Sequence, residues 1–216
     1  MMSILSFDTN VILNSVKKNS EPEKILEYSN INKPTYTITE TVTNEVMRLI
    51  DTFEKLLDKC IETGYDGKKS IKNIVNGLNL DKYEQNGVKY IEKMFPGGAD
   101  IYDLGEIRSK IRQVFYKWKS ISYIITYCDL RKKKSISINN IILGILTIAN
   151  ISLVDKRHIA LFTAFIDAMR EGFFVTDDQL KGRTEKILDI ENEIFSKTKR
   201  TIKIITSKKC YNTFCR

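Results

Sequence analysis

The segment Ile4-Leu5-Ser6-Phe7-Asp8-Thr9-Asn10 changes abruptly from apolar to polar residues. Residues 3–7 predict a short buried strand, and the polar residues that follow suit the turn into a helix. A helical pattern continues through Val11, Ile12 and Val16. A buried strand that leads directly into a helix is typical of α/β proteins, so this segment indicates that class.

Strand-like and helix-like segments alternate along the rest of the chain. Further strands are predicted at residues 36–38, 173–176 and 201–205, which are rich in β-branched and aromatic residues. Helices are predicted from Thr39 to about Cys60, at 82–94, from 103 to about 125, at 138–151, and after Asp155 as far as Gly172. This alternation predicts a three-layer α/β/α fold with a central parallel sheet.

A single domain is predicted over residues 1–206, followed by a C-terminal tail at 207–216. Between about residues 64 and 150 helical patterns replace the strand signal, which predicts a helical insertion. No apolar run approaches the roughly 20 residues that would span a bilayer, and the N-terminus lacks the basic region of a secretory signal. The expectation is therefore a cytoplasmic protein that does not enter a membrane.

The chain carries a formal net charge of +8, which favours a polyanionic partner. The abundance of Lys, Ile and Asn also indicates genome bias, so the charge alone is weak evidence. The run Arg131-Lys132-Lys133-Lys134 is a candidate phosphate contact, although a solvated loop explains it equally well. The four cysteines form no CxxC pair, so a zinc site is not expected.

Several acidic residues follow predicted strands or lie in the early turns of predicted helices: Asp8, Glu45, Asp155, Asp177 and Asp178. Ligands of parallel α/β sheets bind beyond the carboxyl ends of the strands, where these acids would share one cleft. Clustered carboxylates need a cation to stay charged together, and oxygen ligands favour Mg²⁺ or Mn²⁺. Each acid taken alone is also explained as a helix cap, a turn residue or a solvated residue.

Four segments, in this order, resemble the motifs of PIN-domain nucleases. They are ILSFDTNV at residues 4–11, ITETVTNEV at 38–46, DKRHIAL at 155–161 and FFVTDD at 173–178. The resemblance covers about residues 3–60 and 150–206, and it implies the PIN fold with a helical insertion of unfamiliar sequence.

The resemblance implies roles for individual residues in metal binding and catalysis. The acids matched to the family motifs are Asp8, Glu45, Asp155 and Asp178, with Asp177 as a further candidate beside Asp178. Thr9 and Thr176 match supporting polar positions and, with Arg131, Lys132 and Lys133, are the candidate substrate contacts. His158, one helical turn after Asp155, is expected either near the metal site or as a packed or surface histidine.

The implied activity is that of a divalent-metal-dependent endoribonuclease, in which water activated by Mg²⁺ or Mn²⁺ attacks an RNA phosphate. Two alternatives remain open: a catalytically inactive PIN scaffold that binds RNA or protein, and a structure-specific DNA nuclease. The resemblance also makes a homodimer and a cognate inhibitor protein possible partners beside RNA.

Overall fold

A computed structural model describes residues 3–28, 34–62, 79–94, 98–149, 153–167, 170–177 and 184–215. The strands are β1 (Ile4–Phe7), β2 (Thr35–Thr39), β3 (Tyr123–Ile125), β4 (Glu171–Val175) and β5 (Thr201–Ile205). The helices up to the third strand are α1 (Thr9–Asn14), α2 (Glu21–Glu27), α3 (Glu40–Glu62), α4 (Lys82–Met94) and α5 (Ile101–Ile121). The later helices are α6 (Tyr127–Lys132), α7 (Ile136–Ile148), α8 (Leu153–Phe165), α9 (Thr184–Thr198) and α10 (Ser207–Phe214).

The strands form one five-stranded sheet in the order β3-β2-β1-β4-β5, and every neighbouring pair is parallel. From β1 the chain builds outward through β2 and β3, then crosses back to add β4 and β5 on the other side. The strand order therefore reverses between β1 and β4. In open α/β sheets such a switch point is the usual place for a ligand.

Helices cover both faces of the sheet. Ile4, Phe174 and Ile202 belong to a buried cluster with apolar residues of α7, α8 and α9. On the opposite face, the Phe7 ring lies 4.5 Å from the ring of Trp118, which is fully buried. The predicted α/β fold with a parallel central sheet between helices is thus confirmed.

The chain divides into two compact units. The first comprises residues 1–44 and 116–216 and contains the whole described sheet. The second comprises residues 45–115, in which buried residues of α3, α4 and α5 form an apolar core and Lys59 pairs with the buried Glu84 at 2.7 Å. No described helix is long and apolar enough to cross a membrane.

Two predicted helices end earlier in the structure than their sequence pattern suggests. α5 stops at Ile121, and Tyr123–Ile125, expected to continue it, forms the edge strand β3 beside β2. α8 stops at Phe165, so Gly172 lies inside β4 rather than at a helix end. A Cβ at Gly172 would overlap the Ile166 side chain, so glycine is needed there for the close approach of the segment after α8 to the strand.

Two further boundaries differ from those predicted. Residues 207–214, expected to belong to a tail, form helix α10. The side chain of Thr206 caps this helix by accepting a hydrogen bond from the backbone N–H of Lys209. Helix α8, expected to follow Asp155, begins two residues earlier at Leu153. Asp155 therefore lies in the first turn of α8, which agrees with its predicted place in an early helical turn.

Candidate active site at the carboxyl ends of strands β1 and β4

The switch point of the sheet brings together polar residues that are far apart in sequence. Phe7 and Val175 are the last residues of β1 and β4 and lie side by side in the parallel pairing. The backbone N–H of Asp8 continues this pairing by donating to the carbonyl oxygen of Val175 at 3.0 Å. Asp8 and Thr176 therefore leave the sheet at the same point.

The carboxylate of Asp8 is buried, with 3% of the residue exposed, and it accepts four hydrogen bonds. Oδ1 accepts from the backbone N–H of Thr9 at 2.8 Å and lies 3.1 Å from Nδ1 of His158. Oδ2 accepts from Nδ2 of Asn10 at 2.7 Å and from the hydroxyl of Thr176 at 2.8 Å. We name Asp8 and these four donor residues the Asp8 cage.

Local sequence explains two of the donors. Asp8 is the N-cap of α1, with extended backbone angles that direct its carboxylate toward the N–H of Thr9. Asn10 lies in the first turn of α1 and bridges to β4, since its Oδ1 accepts from the backbone N–H of Asp177 at 2.9 Å. Its Nδ2 also donates to Oγ1 of Thr176 at 3.1 Å. Asn10 thus joins the two strand ends.

His158 closes the cage from helix α8. The residue is fully buried, and its ring centroid lies 6.1 Å from that of Phe174. An ionised carboxylate can only accept hydrogen bonds, so Nδ1 must carry the proton that faces Asp8. The other ring nitrogen, Nε2, has no hydrogen-bond partner among the described residues. His158 is thus a packed histidine rather than a surface one, and its ring contacts Asp8.

Asp177 uses one carboxylate oxygen for a structural contact. Its Oδ1 accepts from the backbone N–H of Ser207 at 3.0 Å and from the Ser207 hydroxyl at 2.6 Å. Ser207 is the first residue of α10, where backbone N–H groups lack partners within the helix. Asp177 therefore ties the end of β4 to α10.

The other predicted acids have different placements. Asp155 is partly buried in the first turn of α8, and its spacing of three residues puts it on the same side of the helix as His158. Glu45 is exposed on α3 and is the first residue of the second unit. Asp178 lies outside the described residues. Within the described part of the chain, no three His, Cys, Asp or Glu side chains form a group that could hold a metal ion.

Carboxylate oxygens such as those of Asp8 and Asp155 suit Mg²⁺ or Mn²⁺, which prefer oxygen ligands. A carboxylate offers about four lone-pair directions, and those of Asp8 are already used by four donors. An ion that binds Asp8 would therefore replace at least one of these donors.

The basic run lies at the other end of helix α8. Nζ of Lys133 donates to the carbonyl oxygen of Phe165, the last residue of α8, at 3.0 Å. Phe165 is seven residues beyond His158, which corresponds to about 10 Å along a helix. Lys133 is thus separated from the Asp8 cage, and Arg131 and Lys132 precede it in the last turn of α6.

Two members of the cage were not assigned a role from the sequence: Asn10, and His158, for which a place near the metal was one of the alternatives. A signal for each existed in the sequence: Asn10 follows the strand-ending acid, and His158 lies one turn after Asp155. Neither signal is specific, because a polar residue in a first turn often only caps the helix and a histidine on a helix often only packs or faces solvent.

No protein-family model, curated protein or solved structure matches this chain.

Proposed function

We propose that the chain is a divalent-metal-dependent nuclease that cleaves RNA at the carboxyl edge of its sheet. The observation that carries the proposal is the contact of Asp8 with Thr176, and of Asn10 with Asp177, at the switch point between β1 and β4. This is the place where α/β sheets bind their ligands. The net charge of +8 and the motif resemblance support RNA as the substrate class.

Asp8 and Asp155 are the described residues whose carboxylates would hold the ion. When bound, the ion would activate a water molecule and neutralise charge on the scissile phosphate. Asn10 and Thr176 orient the Asp8 carboxylate from one side, and the buried ring of His158 closes the other side against water. Glu45 and Asp178 are assigned to the ion by the resemblance alone.

The test is cleavage of a labelled single-stranded RNA in Mn²⁺, compared with EDTA and with a branched DNA of equal length. Asp155→Asn should reduce cleavage by about a hundredfold or more, since metal activation contributes several kcal/mol. Asp189→Asn on the exposed side of α9 is the matched control and should cleave as the wild type does. Cleavage that persists in EDTA, or that Asp155→Asn leaves unchanged, would show the proposal to be wrong.

A second candidate is a catalytically inactive scaffold of the same fold. It is favoured by the saturation of Asp8, because the four donors stabilise its charge without any ion. A scaffold should bind RNA or a protein without cleaving RNA, and Mn²⁺ should leave its melting temperature unchanged. A nuclease should melt at a higher temperature in Mn²⁺, because an ion that binds only the folded state stabilises it.

A further inference from the structure

We infer that His158 is a positioning residue for the candidate metal centre, holding Asp8 in the orientation that receives the ion. This inference rests on the proposed function. His158 is the only member of the Asp8 cage from helix α8, since Thr9 and Asn10 come from α1 and Thr176 follows β4. It therefore fixes the carboxylate relative to the helix that carries Asp155.

The contact is built into the core. His158 is fully buried between the sheet and α8, so its ring cannot turn away into solvent. Nδ1 meets Oδ1 of Asp8 at 3.1 Å, while Nε2 has no hydrogen-bond partner among the described residues. A buried polar atom without a partner costs free energy, so an apolar residue would suit this position better if packing were its purpose. The hydrogen bond from Nδ1 to Asp8 stabilises the histidine and offsets the cost of burying Nε2.

Hydrogen bonds to a ligating carboxylate orient it and tune its affinity for the ion, and their removal typically lowers metal affinity about 10- to 100-fold. Loss of His158 should therefore weaken Mn²⁺ binding even when the protein remains folded. The opposite result is expected if His158 merely blocks the ion, since its removal would then tighten binding.

Two amide substitutions separate positioning from packing. The amide nitrogen of Asn is the same number of bonds from Cα as Nδ1 of His, and that of Gln the same number as Nε2. His158→Asn keeps a donor in the position that faces Asp8, whereas His158→Gln places it where the histidine makes no contact. Both variants introduce a buried amide, so they serve as matched controls for polarity.

The experiment is titration of Mn²⁺ into the full chain by isothermal calorimetry, with the folded state of each variant checked by its melting curve. His158→Asn should bind Mn²⁺ within about threefold of the wild type, and His158→Gln at least about tenfold more weakly. If His158→Gln binds as tightly as His158→Asn, or if His158→Asn itself loses about tenfold, the positioning role is wrong. The second criterion holds even if His158→Gln fails to fold.

The wild-type titration distinguishes this failure from failure of the proposed function. If the wild type binds Mn²⁺ and the two variants do not differ, only the role of His158 is overturned. If the wild type takes up no Mn²⁺ and cleaves no RNA, both the proposed function and this inference are overturned.

Discussion

Exchanging Asp8 and Asn10 would reverse the polarity of the cage while keeping its hydrogen bonds. In Asp8→Asn, an amide nitrogen that replaces Oδ2 would face two donors, Nδ2 of Asn10 and the hydroxyl of Thr176. In the double variant D8N/N10D, the new amide at position 8 can donate to the new carboxylate at position 10. The Thr176 hydroxyl, which now donates to position 8, can donate to position 10 instead.

The loss of unfolding free energy in Asp8→Asn depends on which hydrogen-bond partners can adjust to the new amide. The Thr176 hydroxyl can rotate and accept, but the Asn10 amide is held by the backbone N–H of Asp177 and cannot turn without losing that bond. Asp8→Asn thus leaves one buried donor unmatched, which costs about 1–3 kcal/mol, and removes the charge from the remaining bonds. We expect a decrease of about 3 kcal/mol in the free energy of unfolding, and the double variant should regain about 2 kcal/mol of it.

Urea denaturation followed by tryptophan fluorescence measures this effect. Trp118 is the single tryptophan of the chain, and its ring packs against Phe7, next to Asp8 in sequence. Its indole N–H donates to the Ser15 hydroxyl at 3.0 Å, so its emission reports on the unit that contains the cage. The reasoning would be refuted if the free energy of unfolding of Asp8→Asn were within about 0.5 kcal/mol of the wild type. It would also be refuted if the double variant lost as much as Asp8→Asn and Asn10→Asp lose together.

Two further substitutions test the fold itself. Gly172→Ala should destabilise the protein by about 1–3 kcal/mol, because the added methyl would overlap Ile166 and lie 3.0 Å from Phe162 in a filled core. Gly144 lies in α7 with open space around it, so Gly144→Ala should instead stabilise the protein by about 0.5–1 kcal/mol. Both are read from chemical denaturation, and equal effects of the two would contradict the packing argument. Burial raises the pKa of Asp129, and hydrogen bonds from the backbone and side chain of Thr126 lower it. The hydrogen bonds outweigh burial, so the pKa of Asp129 lies below its usual value. The Asp129 carboxylate therefore stabilises the folded state above its unfolded pKa of about 4, and this stabilisation is lost as the pH falls through its lower pKa in the folded state. Asp129→Asn should reduce the dependence of the melting temperature on pH in that acidic range.

The sequence predicts four of the five described strands and misses β3, which lies at one edge of the sheet. β1, β2, β4 and β5 were predicted because each is an apolar, β-branched or aromatic run bounded by polar residues. β3 was missed because its three residues continue the helical spacing of α5, and so short a strand has no period of its own. The pairing of Tyr123–Ile125 with β2 is a contact between segments far apart in sequence, and the local residue pattern carries no information about it.

The candidate site shows the same limit. The meeting of Asp8 with the residues after β4 follows from topology, because parallel strands bring their carboxyl ends to one edge. The contact of His158 with Asp8 depends on the rotation of α8 about its axis, which spacing along one helix does not fix. The bond from Ser207 to Asp177 was beyond prediction because residues 207–214 were not recognised as a helix.

The cage changes which variant tests the proposed nuclease most directly. Asp8→Asn is expected to destabilise the first unit whether or not the site binds an ion, so loss of cleavage in that variant could follow from either effect. Asp155 lies on a helix surface that is only partly buried, and it is not among the five cage residues. In a scaffold Asp155→Asn should leave RNA binding unchanged, whereas a metal-dependent nuclease should lose cleavage and the rise in melting temperature with Mn²⁺. Asp155→Asn therefore separates the two candidate functions, and the D8N/N10D exchange separates the structural role of Asp8 from its chemical one.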